Sequence, residues 1–371
     1  MSSSLDWLSN LKHTGQCKTY PAGEVIFREG DQGEVMYVIL QGEVHVTLEN
    51  VPINFLKPGS LLGEMALVDN SPRSATATAA TDCILLPLDQ NQFKSFIPTH
   101  PEFSIEVMTI MAQRLRRLMD ETLKRQRMEE ELNISRQIQL SLLPRQCPTL
   151  PGWEITAFYQ SARQVGGDLY DFIRLPNAPH LLHLVIADVT GKGVPAAMFM
   201  AFSRTVIRTA TQFDTCPAQI LQRTNQSILQ DIRYRLFLST FFATLNTETG
   251  KLLYANGGHE WPVLYRAETH QVQTLDTSGL LLGVFQDTTF PEAEYMLAPG
   301  DVLVLFTDGI TEARNQAGDL FGEERLVEIM SHAGEKSAQQ VMDEITGTVA
   351  AFTGNTPQAD DLTLVVLKRQ K

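Results

Sequence analysis

Cysteine is scarce: Cys17, Cys83, Cys147 and Cys216 are scattered through 371 residues without a CxxC pair. That spacing indicates neither a zinc site nor a disulfide framework. Long apolar runs are missing too. None approaches the ~18 residues that a membrane helix needs, and the first twenty residues hold no continuous apolar core of a secretory signal. The expectation is a cytoplasmic protein with no membrane partner. Basic residues are outnumbered, 30 Lys and Arg against 43 Asp and Glu, for a formal charge of −13. So acidic a chain does not suit nucleic acid. Glycine and proline nearly vanish from Pro101 to Leu143, which leaves that stretch free to form one long helix or two nearly continuous ones.

What is present divides the chain in three: residues 1–100, a helical linker over 101–143, and 144–371. In the first part short β-like runs alternate with glycine turns, as in "MYVIL" and "VHVTL" with Gly30, Gly33 and Gly42 between and around them. The expected fold there is an all-β barrel or jelly roll. In the linker, Met108, Met111, Leu115 and Leu118 recur at three- and four-residue spacing, and the heptad then falters where Thr122 and Arg125 fall on the seam. Two uses of that stripe remain open, a coiled coil that makes a homodimer or, for its first half, packing on the barrel. In the third part, "HLLHLVIAD", "FFATLNTETGKLLYANG" and "DVLVLFTDG" look like strands, and Ala196–Thr211, Pro217–Ile232 and Ser337–Phe352 look helical. Hairpins and helices in runs argue an α+β domain.

Several aspartates sit where an apolar strand meets a turn. Asp188 closes "LLHLVIAD", Asp308 closes "VLVLFTD", Asp360 and Asp361 precede "LTLVVL", and "VGGDLYDF" holds Asp168 and Asp171. Singly, each is an ordinary turn aspartate. Together, with no arginine cluster to compensate them, they suggest cations, and all-oxygen ligation favours magnesium, manganese or calcium over zinc.

The ordered set "GGDLYDF", "ADVTGKGVPAA", "YANGGHEWP", "FTDGITEARN" and "DDLTLVV", led by "SRQIQLSLLP", resembles the metal-dependent protein phosphatase (PPM) superfamily in its SpoIIE/RsbU branch, over about residues 134–371. The resemblance implies an αββα sandwich that hydrolyses phosphoserine or phosphothreonine in small proteins with two Mg2+ or Mn2+ ions. By it Asp188 bridges both metals with the carbonyl of Val189 beside it, Asp168 reaches one metal, and Asp308 and Asp360 hold the other. Gly166 and Gly167 then let the backbone pass close to the ions. Asp171 and Asp361 are expected to be supporting hydrogen-bond acceptors or turn residues, and His259 a structural turn residue, with a general acid as the alternative. The arginine with which eukaryotic members hold the substrate phosphate has no counterpart here.

The segment "FLKPGSLLGEMALVDNSPRSATATA" sets Glu64 at the start of a short helical turn, "EMAL", and Arg73 nine residues on. A helix N-terminus with an arginine suits a phosphate diester, and a carboxylate suits a ribose hydroxyl. A simple Glu64–Arg73 salt bridge is the plainer alternative for the pair alone. With "AGEVIFREGDQGEVMYVILQGEVHV" upstream, residues 20–117 resemble the cyclic-nucleotide-binding domains of the CRP/FNR and protein-kinase regulatory type. That resemblance implies that Gly63 begins the cassette helix and that Glu64 meets the ribose 2′-hydroxyl. Arg73 with the backbone of Ser74 and Ala75 then holds the cyclic phosphate. Ser74 after the arginine favours cAMP over cGMP. A CRP-type transcription regulator is excluded, because no helix-turn-helix follows the barrel.

The whole chain is therefore expected to be a multidomain signalling enzyme: a jelly-roll nucleotide sensor, a connecting helix and an α+β phosphatase acting on a phosphorylated small regulatory protein, such as an anti-sigma-factor antagonist. The alternative is a nucleotide-gated binding module with little catalysis.

Overall fold

A computed structural model describes residues 16–49, 51–65, 71–96, 98, 101–231 and 236–371. The chain divides into two compact units, Met1–Gln126 and Arg127–Lys371. In the first, β1 (Lys18–Tyr20), β2 (Val25–Phe27), β3 (Val35–Gln41), β4 (Val44–Leu48), β5 (Val51–Leu56), β6 (Leu61–Leu62), β7 (Thr76–Ala79) and β8 (Cys83–Asp89) build two four-stranded sheets. Their orders are β1-β8-β3-β6 and β2-β7-β4-β5, with antiparallel pairing. This is the jelly-roll barrel.

The unbroken apolar run "MYVIL" is explained by what covers β3. Tyr37 and Ile39 point into the barrel with Val44, Ala77 and Leu85. Met36 and Val38 face the other way, toward Leu86, Val107 and, at the edge of the cluster, Phe93, Ile110 and Met111. Those last residues belong to α1 (Gln90–Phe96) and α2 (Pro101–Leu142). A strand covered on both faces has no polar side to alternate with. The early turns of α2 thus pack on the barrel, while Met108, Leu115, Leu118, Met119, Ile134 and Ile138 stay exposed along its length. The helix is one 42-residue piece. Among the described residues no helix is long and apolar enough to cross a membrane.

The second unit runs β9 (Trp153–Gln160), β10 (Leu169–Leu175), β11 (Ala178–Val189), α3 (Val194–Ala210), α4 (Pro217–Asp231), β12 (Leu238–Asn246), β13 (Lys251–Gly257), β14 (Val263–Arg266), β15 (Gln271–Thr274), β16 (Glu292–Met296), β17 (Val302–Phe306), α5 (Asp308–Thr311), α6 (Gly322–Met330), α7 (Ala338–Thr353) and β18 (Leu362–Arg369). Two five-stranded sheets result, β10-β11-β12-β13-β16 and β15-β14-β17-β18-β9. Leu184, Ile186, Phe241, Leu303, Leu305 and Val365 meet in a core that also takes in Phe199 and Ile207 of α3 and Ile220 of α4. The opposite faces of β17 and β18, Val302, Val304, Phe306, Leu364 and Val366, pack with Leu326, Val341 and Ile345 of α6 and α7. Helix pair, sheet, sheet, helix pair is the αββα sandwich.

Local chemistry marks several of these elements. Ser337 and Gln340 close a reciprocal capping box at the start of α7, and "NTETGK" turns β12 into β13. Expected Ile232 of α4 lies outside the described residues, as do Ala66 and Leu67 of the "EMAL" turn. α6 was not among the expected helices: at nine residues its periodic signal is little more than Leu326 and Met330.

Candidate functional site

Four aspartates come from four places that the sandwich brings to one end. β11 runs in register with β12 so that Asp188 lies across from Ser239, one residue before the strand's end. Asp308 opens α5 directly after β17, Asp360 stands just ahead of β18, and Asp168 just ahead of β10. β10 and β11 are neighbours in one sheet, β17 and β18 in the other.

Asp168 is 1 % exposed. Its Oδ2 accepts from Thr307 Oγ1, just past β17, at 2.7 Å and from Thr363 Oγ1 of β18 at 2.5 Å. Burial, then the charges of Asp188 and Asp361, push its carboxyl up, and the two threonine hydroxyls pull the other way. Asp188 is pushed up to about 7 by burial and by Asp308, against a hydrogen bond from Asp168, with Asp360 and Asp361 adding to the rise. Asp308 is raised by burial, then by Asp360 and Glu312, and lowered by the Gly309 amide and Lys192. Mutual repulsion in a desolvated cluster is the common cause. Among the described residues no three His, Cys, Asp or Glu side chains close around a single point.

Asp361 is engaged by main-chain amides. Its Oδ1 accepts from Ala162 N at 2.8 Å, and its Oδ2 from Gly167 N at 2.6 Å and Asp168 N at 3.3 Å. It fixes the loop that presents Asp168. The glycine pair follows from that grip: a side chain at Gly166 would collide with the Asp361 carboxylate and Tyr159, and one at Gly167 would come within 2.9 Å of the Val189 carbonyl. Gln139 of α2, 4 % exposed, holds the same loop from behind. Its Nε2 donates to Gly166 O at 2.6 Å and its Oε1 accepts from Gly166 N at 3.0 Å. Sequence reasoning did not single out Gln139, although "SRQIQLSLLP" contained it.

Asp171 does something else entirely. It is buried in a salt bridge with two arginines of α3, Arg208 Nε and Nη2 at 2.6 and 2.7 Å and Arg204 Nε at 3.0 Å. Neither a turn role nor support of the cluster describes it: it ties α3 to β10. Three residues apart, the two carboxylates of "GGDLYD" thus have unrelated partners.

A cavity of 210 Å³ opens at the cluster, lined by Asp188, Asp308, Ser239, His259 and Glu260 among others. His259 Nε2 donates to the Phe306 carbonyl at 3.1 Å, which leaves Nδ1 to accept from Ser239 Oγ at 2.7 Å. Burial holds it down at about 4. Both ring nitrogens are thus engaged and the imidazole is neutral. Glu260, raised by burial and then by Asp308, was missed; it stands next to His259 in "GGHEWP".

The first unit holds the second site. Glu64 is 2 % and Arg73 7 % exposed. Arg73 lies with Cζ 4.2 Å from the Phe27 ring centroid, and it donates through Nη1 to Gly63 O at 2.9 Å and through Nη2 to Val35 O at 2.5 Å. Gly63 has φ +76°, and a side chain there would strike the guanidinium. The plain Glu64–Arg73 bridge is not formed. Glu64 Oε1 pairs instead with Arg114 of α2, whose Nη2 also reaches Leu61 O at 3.2 Å. Among the described residues Glu64 Oε2 and Arg73 Nε are buried without a partner, one acceptor and one donor. Ser74 is exposed and Ala75 buried beside Arg73.

The sandwich is the fold of PP2C-type phosphatase domains: the SiaA-PP2C domain of Pseudomonas aeruginosa superposes with TM-score 0.59 at 22 % identity, over 66 % of this chain and 98 % of that one. The chain belongs to the SpoIIE family, described as Stage II sporulation protein E, whose match spans residues 178–370. Residues 17–100 match the cyclic nucleotide-binding domain. Phosphoserine phosphatase RsbU of Bacillus subtilis is 29 % identical over 295 residues, 77 % of this chain and 86 % of that protein. The cAMP-dependent protein kinase regulatory subunit of Eremothecium gossypii is 42 % identical over 80 residues, 22 % of this chain and 18 % of that protein.

Proposed function

We propose that the chain is a metal-dependent serine/threonine protein phosphatase governed by a cyclic nucleotide. The observation that carries the catalytic half is the crowding of Asp168, Asp188, Asp308 and Asp360 at one end of the sandwich, with the Asp188 carboxyl pushed up to about 7 by burial and its neighbours. A site that repels protons so poorly is short of positive charge, and hard oxygen donors suit Mg2+ or Mn2+. Asp188 would contact both of two ions beside the carbonyl of Val189, Asp168 one of them, and Asp308 and Asp360 the other. Two bound cations supply a water of lowered pKa and charge stabilisation for in-line displacement at phosphorus. The chain's own residues orient them: Asp361 and Gln139 fix the Gly166–Asp168 loop, and Thr307 and Thr363 hold Asp168.

In the first unit the ligand is cyclic nucleotide, cAMP in preference to cGMP. The unpartnered Arg73 Nε suits a phosphate oxygen and the unpartnered Glu64 Oε2 a ribose hydroxyl. Arg114 joins Glu64 to α2, and Gln139 joins the same helix to the metal loop. The helix is the route of coupling, on the usual scale of about 1 to 3 kcal/mol. Paired helices make the protein a homodimer, and the substrate is a phosphorylated small regulatory protein. The test is phosphate release from a phosphoserine protein or peptide in Mn2+, with and without cAMP and cGMP. No release under any condition would leave a binding module, and release indifferent to both nucleotides would remove the regulation.

A further inference from the structure

Asp188, Asp308, Asp360 and Glu260 crowd the mouth of the sandwich, and a phosphoserine brings about 1.5 to 2 further negative charges. Among the described residues, Lys192, in the turn between β11 and α3, is a basic side chain that bears on this cluster. Its Nζ donates to Asp360 Oδ2 at 2.7 Å and to the Ala359 carbonyl at 2.6 Å, and its charge pulls the Asp308 carboxyl down. The turn is open, with nothing within 4 Å of where a β carbon would stand at Gly191 or Gly193. The side chain is 40 % exposed. Lys192 also lines a second cavity, of 440 Å³, with Asp360, Gly309, Ile310 and Arg314. Asp308 lines the cavity at the aspartate cluster and its chain neighbour Gly309 lines this larger one.

We propose that Lys192 is the cation that binds the substrate's phosphoryl group, in the role for which no arginine is found, with the larger cavity taking the chain that flanks the phosphoserine. A flexible four-carbon stem ending in a point charge reaches a phosphoryl oxygen without a fixed fork. An ion pair so exposed adds little to stability by itself, so holding Asp360 is a weak reason for a lysine here. The proposal rests on the aspartate cluster being a phosphate-processing centre.

Inorganic phosphate is the probe. With Mn2+ at saturation, calorimetry on the full chain should give Lys192→Gln about tenfold weaker phosphate affinity, the scale of one charge-assisted hydrogen bond, and Lys192→Arg an affinity within about threefold of wild type. With p-nitrophenyl phosphate as substrate, KM should rise by a similar factor while kcat stays within about threefold. Lys192 and a bound cation share Asp360 Oδ2, so Mn2+ affinity of Lys192→Gln should be unchanged or tighter. Unchanged phosphate affinity, a loss that follows weaker Mn2+ binding, or an arginine variant as weak as the glutamine would each overturn the assignment. A wild type that binds phosphate without hydrolysing anything would sink the phosphatase function and still leave the role of Lys192 to the titration. A wild type that does not bind phosphate overturns that role.

Discussion

Asp168 and Asp171 show how far one side chain's neighbours decide its use. Both are buried, yet one accepts from two threonine hydroxyls beside other carboxylates and the other is clasped by two guanidinium groups. Sequence spacing could not separate them, because Arg204 and Arg208 lie more than thirty residues away, on a helix whose facing is fixed only by packing. The consequences of substitution differ in kind. Asp188→Asn should cut Mn2+-dependent turnover roughly a thousandfold, about 4 kcal/mol of transition-state stabilisation. Without metal its melting temperature should be equal to or above wild type, since a repelled charge is removed; a destabilised, active variant would contradict both halves. Asp171→Asn should instead lose about 3 kcal/mol in urea unfolding by leaving two guanidinium groups without their anion, with turnover per folded molecule retained. The motif aspartates themselves were legible because strand ends are; Gln139, Glu260 and Arg114 were not, since their partners are distant in sequence.

At the scale of elements, β11 carries the load of both core and chemistry. Its far end supplies Asp188, and its middle buries His183, 0 % exposed, against the Phe242 ring. Thr244 Oγ1 donates to the Thr215 carbonyl at 3.0 Å, so His183 Nδ1–H donates to Thr244 at 2.9 Å and Nε2 is left buried without a partner. Burial holds this imidazole down at about 4, against an ordinary 6.5. Between those values the unfolded chain binds a proton that the folded chain refuses, so stability falls with falling pH and is fully present above pH 6.5. Going from pH 7 to pH 5 should cost the wild type about 2 kcal/mol more than His183→Asn, which keeps a donor for Thr244 and has nothing to titrate. The raised aspartates contribute with opposite sign, which is why the difference between the two proteins is the quantity to measure by urea unfolding. Equal pH dependence would show that the ring takes up a proton in place. Runs such as "VLVLF" announced strands, whereas short α6 and the sheet order depended on contacts that no local pattern encodes.

For the molecule as a whole, the three textures of the sequence were enough to give a barrel or jelly roll, a long helix and an α+β domain, because each has its own period and its own breakers; the sandwich itself came from the family resemblance. Less legible was the double duty of α2, which packs Val107, Ile110 and Met111 on the barrel yet leaves Leu115, Leu118, Met119, Ile134 and Ile138 in solvent. An apolar stripe of that length calls for a partner. Light scattering at tens of micromolar should find a dimer, and a strict monomer would refute the pairing. The two hydrogen bonds from Gln139 to Gly166 have a consequence in terms of rotational phase. They run to main chain, so what the loop senses is the angular setting of the helix and not the identity of whatever lies upstream. Each residue added to a helix turns everything before it by about 100°, whereas seven added residues restore the setting to within about 20°. A heptad inserted after Arg125 should therefore keep nucleotide control of the phosphatase, while two or five inserted residues, which turn the helix by about 200° or 140°, should break or invert it with both units still folded. Other sensors that end in a helix of the right phase could then drive the same catalytic unit.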